Sequence, residues 1–166
     1  MKGPRAAIGP AAPEDLPVLA ELMAASPLLA RYRTTWEGAM AALESAWRGG
    51  DVLLVAREDA ASPLGLAWVI RSRVLTGAAY LRLLLVAEDR QRGSIGGRLL
   101  REAEDQAREF ANHLVLLVTT DNTGARRFYE RHGYRHVGDL PGFAVPGIDE
   151  ALYQKALRPH GDRLPV

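Results

Sequence analysis

The chain of 166 residues contains no cysteine. This excludes a disulfide framework, a thiolate metal site and a cysteine nucleophile. Lysine is nearly missing as well: Lys2 and Lys155 are the only two, and the other 19 of the 21 basic residues are arginine. That bias alone assigns no anion-binding role. Neither sign of charge is in excess, since 21 basic residues meet 20 acidic ones for a formal net charge of +1. A near-neutral chain gives no global reason to bind nucleic acid. Long apolar runs are absent too. MKGPRAAIGP at the N-terminus lacks the roughly 7–15 apolar residues of a signal peptide. The longest candidate span, LRLLLVAEDR, breaks at Arg82 and Glu88, far short of the roughly 20 residues a membrane helix needs. A cytoplasmic protein with no membrane partner is expected.

What is present points to a folded core. The chain is 48% hydrophobic and 25% charged, which disfavours disorder. Its length fits one domain, roughly 100–200 residues being typical. That domain is expected to span residues 1–166, with its core over residues 5–157 and a frayed tail at 158–166.

Apolar periodicity gives the element order. A short strand over residues 5–10 precedes a helix opened by Pro13-Glu14-Asp15, where proline and acids suit a first turn. Ser26-Pro27 should end that helix. Thr34 or Thr35 should cap a second helix, with Trp36, Met40, Leu43 and Trp47 facing the core and Gly49-Gly50 as its stop. Strands are expected over residues 51–57, 64–74 and 79–87, the last with a run, Leu83 to Val86, that suits burial on both faces. A helix over 94–110, a buried strand over 113–119 and a helix over 122–132 with Gly133 as C-cap follow. The last strands are expected over 134–138 and 151–157, separated by a Gly/Pro-rich loop, DLPGFAVPGIDE. The result is an α/β (α+β) domain with a mixed, mostly antiparallel sheet flanked by helices. Residues 79–119 form its parallel βαβ unit.

Two segments carry chemistry. The first is Gln91-Arg92-Gly93-Ser94-Ile95-Gly96-Gly97-Arg98, set between a buried strand and an amphipathic helix. Free first-turn amides and the positive end of the helix dipole favour an anion there, and small residues allow close approach. Arg92 and Arg98 could add charge-assisted contacts. The bland alternative is that the glycines only permit a tight turn. The segment is not a P-loop, because Gly97 is followed by Arg98 rather than a Lys-Ser/Thr pair. Nor does it have the G-x-G-x-x-G spacing of a dinucleotide fingerprint.

The second segment runs from Asp121 to Tyr134. Asn122 stands where its amide could cap a helix or reach a ligand, and Ala125, Phe128 and Tyr129 fall near one face. A capped helix with core aromatics is the bland reading. The sharper one is that the Tyr129 phenol, at a cleft edge, can give or take a proton. His113, His132, His136 and His160 have no ligand spacing, so no metal is expected.

Together the two segments closely resemble the GCN5-related N-acetyltransferase family. The turn Gln91-Arg92-Gly93-Ser94-Ile95-Gly96 is similar to that family's Gln/Arg-x-x-Gly-x-Gly/Ala motif. Asn122, Ala125, Phe128, Tyr129, Gly133 and Tyr134 match its second half. Ile8-Gly9-Pro10, Pro13 to Leu16 and Ala151 to Lys155 resemble its opening and closing elements, so the likeness spans about residues 5–157. The resemblance implies acetyl-CoA bound where two parallel strands, residues 81–87 and 113–119, splay apart. It implies that the amides of residues 91–97, Gly97 included, cradle the pyrophosphate, that Leu84, Leu85 and Val86 pair with the pantetheine arm, and that Asn122 contacts that arm. It places Tyr129 as the acid that protonates the leaving thiolate. The acceptor it implies is an amine, on a small molecule or a peptide, with direct transfer and a homodimeric assembly.

The sequence departs from the family twice. Ser94 replaces a usual glycine, a small change. The strand before the turn carries Tyr80 and Arg82 but no acid before Glu88, although many members place a general base there. Glu37, Asp121 or a water chain are the candidates. The missing acid also keeps open a non-catalytic sensor that binds acyl-CoA.

Overall fold

The expected strands and helices form, and local chemistry explains most of their ends. The computed structural model describes residues 6–58, 62–71, 75–91, 94–159, 162 and 164. The described strands are β1 (Ala7–Pro10), β2 (Val52–Arg57), β3 (Gly65–Ile70), β4 (Ala78–Val86), β5 (His113–Thr119), β6 (Arg135–Val145) and β7 (Ile148–Ala156). The helices are α1 (Leu16–Ala24), α2 (Pro27–Ala30), α3 (Trp36–Gly49), α4 (Ile95–Arg108) and α5 (Thr123–Arg131). The strands make one mixed sheet in the order β1-β2-β3-β4-β5-β7-β6. β4 and β5 pair in parallel, from Ala78↔His113 to Leu81↔Leu116, while β1–β2, β2–β3, β5–β7 and β6–β7 are antiparallel. Two compact units divide the chain: residues 1–70 with 83–103, and residues 71–82 with 104–166.

In the first unit α1 and α3 cover β2 and β3. The core joins Leu16, Leu19, Ala20 and Met23 of α1 to Ala39, Leu43 and Ala46 of α3, over Leu53, Val55, Leu66, Trp68 and Leu85. Burying each large aliphatic side chain contributes about 1.5–3 kcal/mol. Thr35 caps α3 by accepting the Gly38 N–H at 3.1 Å, and Gly50 ends it in the left-handed region at φ 74°. The inward stripe of α3 is Ala39, Leu43 and Ala46, so the expectation that Trp36 and Trp47 are core is wrong. They flank that stripe, 41% and 42% exposed. Small residues at the centre of the stripe bring the helix close and leave the indoles at its margins. A second difference is α2. Ser26-Pro27 ends α1 as expected, but the same pair starts a new turn: Ser26 Oγ accepts the Leu29 N–H at 3.4 Å and Pro27 takes the first helical position.

In the second unit β5, β6 and β7 form an antiparallel layer. The expected loop DLPGFAVPGIDE is instead the body of a β6–β7 hairpin. Its turn lies at Pro146-Gly147, with Gly147 at φ 84°. Pro141 is tolerated because β6 lies at the end of the strand order, where a missing N–H breaks no ladder. Register shifts between His136 and Gly138, and between Leu140 and Val145, absorb the glycines. His132, not Gly133, is the C-cap of α5; Gly133 follows it at φ 87°. The Asn112 amide ties down the chain after β7, donating to Leu164 O at 3.0 Å and accepting the Leu164 N–H at 2.8 Å. The strand expected to reach residue 74 ends at Ile70, and residues 72–74 lie outside the described residues.

Candidate active site

The site residues named from sequence fall in both units. In the first unit, β4 runs into the glycine turn and α4. The Ala87 N–H donates to Leu64 O at 2.8 Å, so the backbone at Ala87 faces β3. Strand backbone groups alternate between edges, which turns Leu84 and Val86 toward the edge away from β3. Gln91 was expected to bind the cofactor through its amide. Its side chain braces the strand: Nε2 donates to Val86 O at 3.2 Å. Leu85 and Val86 are buried at 7% and 8%, while Leu84 is half-buried. Gly65 of β3 packs so closely here that a Cβ would lie 2.8 Å from Leu85 O and 2.9 Å from Leu99 Cδ1 of α4.

α4 starts at Ile95, whose side chain is buried at 8%. Ser94 is exposed; Gly96, Gly97 and Arg98 are half-buried; the first turn carries no acid. Its unbonded N–H groups and dipole make it suited to an anion. Arg92 and Gly93 lie outside the described residues. Arg90 is already engaged: its Nη1 donates to Glu58 Oε2 at 2.8 Å and its Nε to Asp89 Oδ2 at 3.3 Å.

In the second unit, Asn122 caps α5, its Oδ1 accepting the Ala125 N–H at 3.1 Å. Ala125 and Phe128 are half-buried and Tyr129 is 9% exposed. Arg126 is a structural tie. Its Nε donates to Tyr153 Oη at 3.0 Å and its Nη1 to Thr120 O at 3.1 Å; Tyr153 Oη donates to Glu130 Oε1 at 2.9 Å. This fixes α5 against β7 and the end of β5.

Tyr129 stands edge-on to Tyr134, with ring centroids 5.5 Å apart. Burial, with the Tyr80 phenol adding a smaller effect, pushes the Tyr129 hydroxyl well above the ordinary phenol range. Like any phenol it carries its proton at neutral pH, so it has one to give. Beneath it lies a polar cluster that the sequence did not signal. Lys155 Nζ donates to Glu104 Oε2 at 2.7 Å and stands 5.5 Å from the Tyr134 ring centre. Tyr134 Oη and Glu104 Oε1 are sealed from solvent without completing a hydrogen bond. Burial first, and the Glu104 charge second, push the Tyr134 hydroxyl strongly up.

Glu150 of β7 also went unremarked, inside the segment read as a loop. It is 3% exposed and pairs in register with Thr119, itself 5% exposed. Strand alternation in Ile148 to Ala156 was the signal that could have found it, since Glu150, Leu152 and Gln154 fall on one face. Tyr80 is pushed up by burial, lowered by Arg82 and raised again by the charge of Glu150. Glu37 and Asp121, the candidate bases, are both exposed. Among the described residues no group of three His, Asp or Glu side chains is placed to hold a metal, and no helix is long and apolar enough to cross a membrane.

Solved structures share this fold across nearly all of the chain. The ribosomal-protein-alanine N-acetyltransferase of Brucella melitensis is 23% identical, covering 90% of this chain and 99% of its own, with a TM-score of 0.76. The yncA protein of Salmonella typhimurium, solved with its cofactor acetyl-CoA, is 20% identical over 97% of this chain and 98% of its own, with a TM-score of 0.78. An aminoglycoside 6'-N-acetyltransferase complexed with coenzyme A is 19% identical over 94% and 99%, with a TM-score of 0.75. No curated protein matches the sequence. The profile of the acetyltransferase (GNAT) family matches residues 22–134, from α1 through the glycine turn to the end of α5, and the chain belongs to that family.

Proposed function

We propose that the protein transfers an acetyl group from acetyl-CoA directly to a primary amine on a small molecule or a peptide. The observation that carries this reading is the join between β4 and α4. There a strand edge at Leu84 and Val86, braced by Gln91, leads into a helix whose first turn holds Gly96, Gly97 and Arg98. These groups fit the two ends of the cofactor. The amides of Ser94, Ile95, Gly96 and Gly97 would receive the pyrophosphate. The backbone of Leu84, Leu85 and Val86 would pair with the pantetheine arm as an added strand; Asn122, Ala125 and Phe128 are assigned to the cofactor by the family resemblance alone. Bound acetyl-CoA supplies an acetyl group activated as a thioester.

The chain's own residues then have separable tasks. A β4 amide near Val86 can donate to the carbonyl oxygen as negative charge develops there. Tyr129, a phenol protonated at neutral pH, gives its proton to the departing sulfur. With no cysteine, the amine receives the acetyl group without passing through a thiol of the chain.

Turnover tests the reading. Purified protein with acetyl-CoA and a panel of a polyamine, an aminoglycoside and an alanine-terminated peptide should release thiol and acetylated amine in equal amounts. Tight acetyl-CoA binding by calorimetry without release on any amine would identify a sensor instead. Absence of binding would remove both readings.

A further inference from the structure

The strand acid common in this family is absent from β4, yet the second unit buries a carboxylate that nothing above employs. Glu150 begins the inner part of β7, opposite Thr119 at the end of β5 and Leu140 on β6. The Thr120 N–H donates to Asp149 O at 2.9 Å, which fastens this end of β7 to the segment leading into Asn122 and α5. Glu150 therefore lies at the end of β5 from which α5 departs.

Its face of the sheet follows from register. Tyr80 pairs with Val115, Val115 with Gln154, Leu117 with Leu152 and Thr119 with Glu150, so all of these side chains share one face. Leu116 and Tyr153 point to the other, where Tyr153 Oη meets Arg126 and Glu130 of α5. Tyr129 belongs to α5 and so to that second face. Helix α5 thus meets the sheet through Tyr153 on one face, while Glu150 lies on the other. Acyl transfer moves two protons, one from the nitrogen and one to the sulfur, so an acid and a separate base serve it.

We propose that Glu150 is the general base of the transfer, taking a proton from the acceptor amine; this rests on the transferase reading above. Starting from R–NH3+, the nitrogen loses two protons overall. Glu150 takes the first and releases it to solvent. The N–C bond then forms as the C–S bond breaks, with the bonding pair left on sulfur. Tyr129 protonates that sulfur, and the second proton of the nitrogen replaces the one Tyr129 gave. The products are amide, thiol and one H+. Among the described residues of β4 to β7, the titratable or charged ones that register places on this face besides Glu150 are Tyr80 and Arg82 of β4, His113 of β5 and Arg135 of β6. Its β5, β6 and β7 neighbours, Thr119, Leu140, Leu152 and Gln154, carry no charge.

The experiment measures kcat against pH for the full-length protein with acetyl-CoA and whichever amine of the panel turns over. For Glu150→Gln, kcat near pH 7 should fall by about 100-fold, as for loss of one general base. Its rate should keep climbing with pH where the wild type levels off, and calorimetric affinity for acetyl-CoA should stay within about threefold. Glu150→Asp keeps the charge on a shorter arm and should lie between the two. It also carries the test if the glutamine variant fails to fold. The proposal is overturned if Glu150→Gln retains kcat within about threefold with an unchanged pH profile. It is equally overturned if acetyl-CoA affinity and kcat fall together and Glu150→Asp restores both, the mark of a structural carboxylate. If the wild type itself releases no thiol with any amine, the transferase reading fails first and the base falls with it.

Discussion

The two units of this chain place their chemistry in different kinds of atom. In the first, the groups proposed to bind the cofactor are peptide amides: the edge of β4 at Leu84 and Val86, and the first turn of α4 at Gly96 and Gly97. Side chains there serve to hold backbone in place, as Gln91 does on Val86 O and as the missing Cβ of Gly65 does beside Leu85. In the second unit the proposed acid and base, Tyr129 and Glu150, are side chains kept from water, as are their polar neighbours Tyr134 and Glu104, each under 10% exposed. A backbone site tolerates changes of side chain but not of conformation. A buried side-chain site behaves in the opposite way. Substitutions that separate chemistry from conformation should therefore act differently in the two units.

The largest effect is expected in the second unit, from the loss of one oxygen. Tyr129→Phe keeps the ring and its edge-on contact with Tyr134 while removing the acid. Steady-state kinetics should show kcat about 100-fold lower, with KM for acetyl-CoA within about threefold and the melting temperature nearly unchanged. An unchanged kcat would show that the sulfur draws its proton from elsewhere.

A comparable change in the first unit should act through conformation instead. Gly65→Ala adds a Cβ that would lie 2.8 Å from Leu85 O, so either β3 or β4 must shift. Such overpacking destabilises by about 1–3 kcal/mol, and it should also displace the Leu84–Val86 edge. Calorimetry should then find acetyl-CoA affinity reduced about tenfold, together with a lower melting temperature. A loss of stability with affinity intact would mean that this edge does not bind the arm.

This contrast also explains what the sequence revealed. Conformational sites need glycine, and glycine is visible, so the turn at Gly93, Gly96 and Gly97 announced itself between a buried strand and an amphipathic helix. The cap at Asn122 was legible for the same local reason. Glu150 was hidden because hairpin pairing, a long-range event, turned the glycines and prolines of residues 139–150 into strand. Once that segment was read as a loop, an acid in it looked solvated. Trp36 and Trp47 were misplaced by a related error. Their spacing marks a helix face, but the alanines of the same helix decide which side approaches the sheet. Arg126 shows the limit from the other direction, since only the fold brings it to Tyr153, 27 residues away in sequence.

The smallest predicted effect separates the units by pH alone. Tyr129 and Tyr134 both lie in the second unit, and burial raises both hydroxyls above the ordinary value of 10.0. The folded chain therefore holds these two protons at a pH where the unfolded chain has begun to release them. Above about pH 10 the unfolded state binds fewer protons, so stability must fall as pH rises; below it these groups contribute no slope. Each such tyrosine adds about 1.4 kcal/mol of loss per pH unit. Tyr134→Phe deletes one titration without touching the Lys155–Glu104 pair, whose bond is to the other carboxylate oxygen, Oε2. Urea unfolding at pH 9 and pH 11 should show a stability loss about 1.4 kcal/mol smaller in this variant than in the wild type. An equal loss would mean that water reaches the Tyr134 hydroxyl in the folded protein, and the contrast between a backbone site and a dry side-chain site would then narrow to Tyr129 and Glu150.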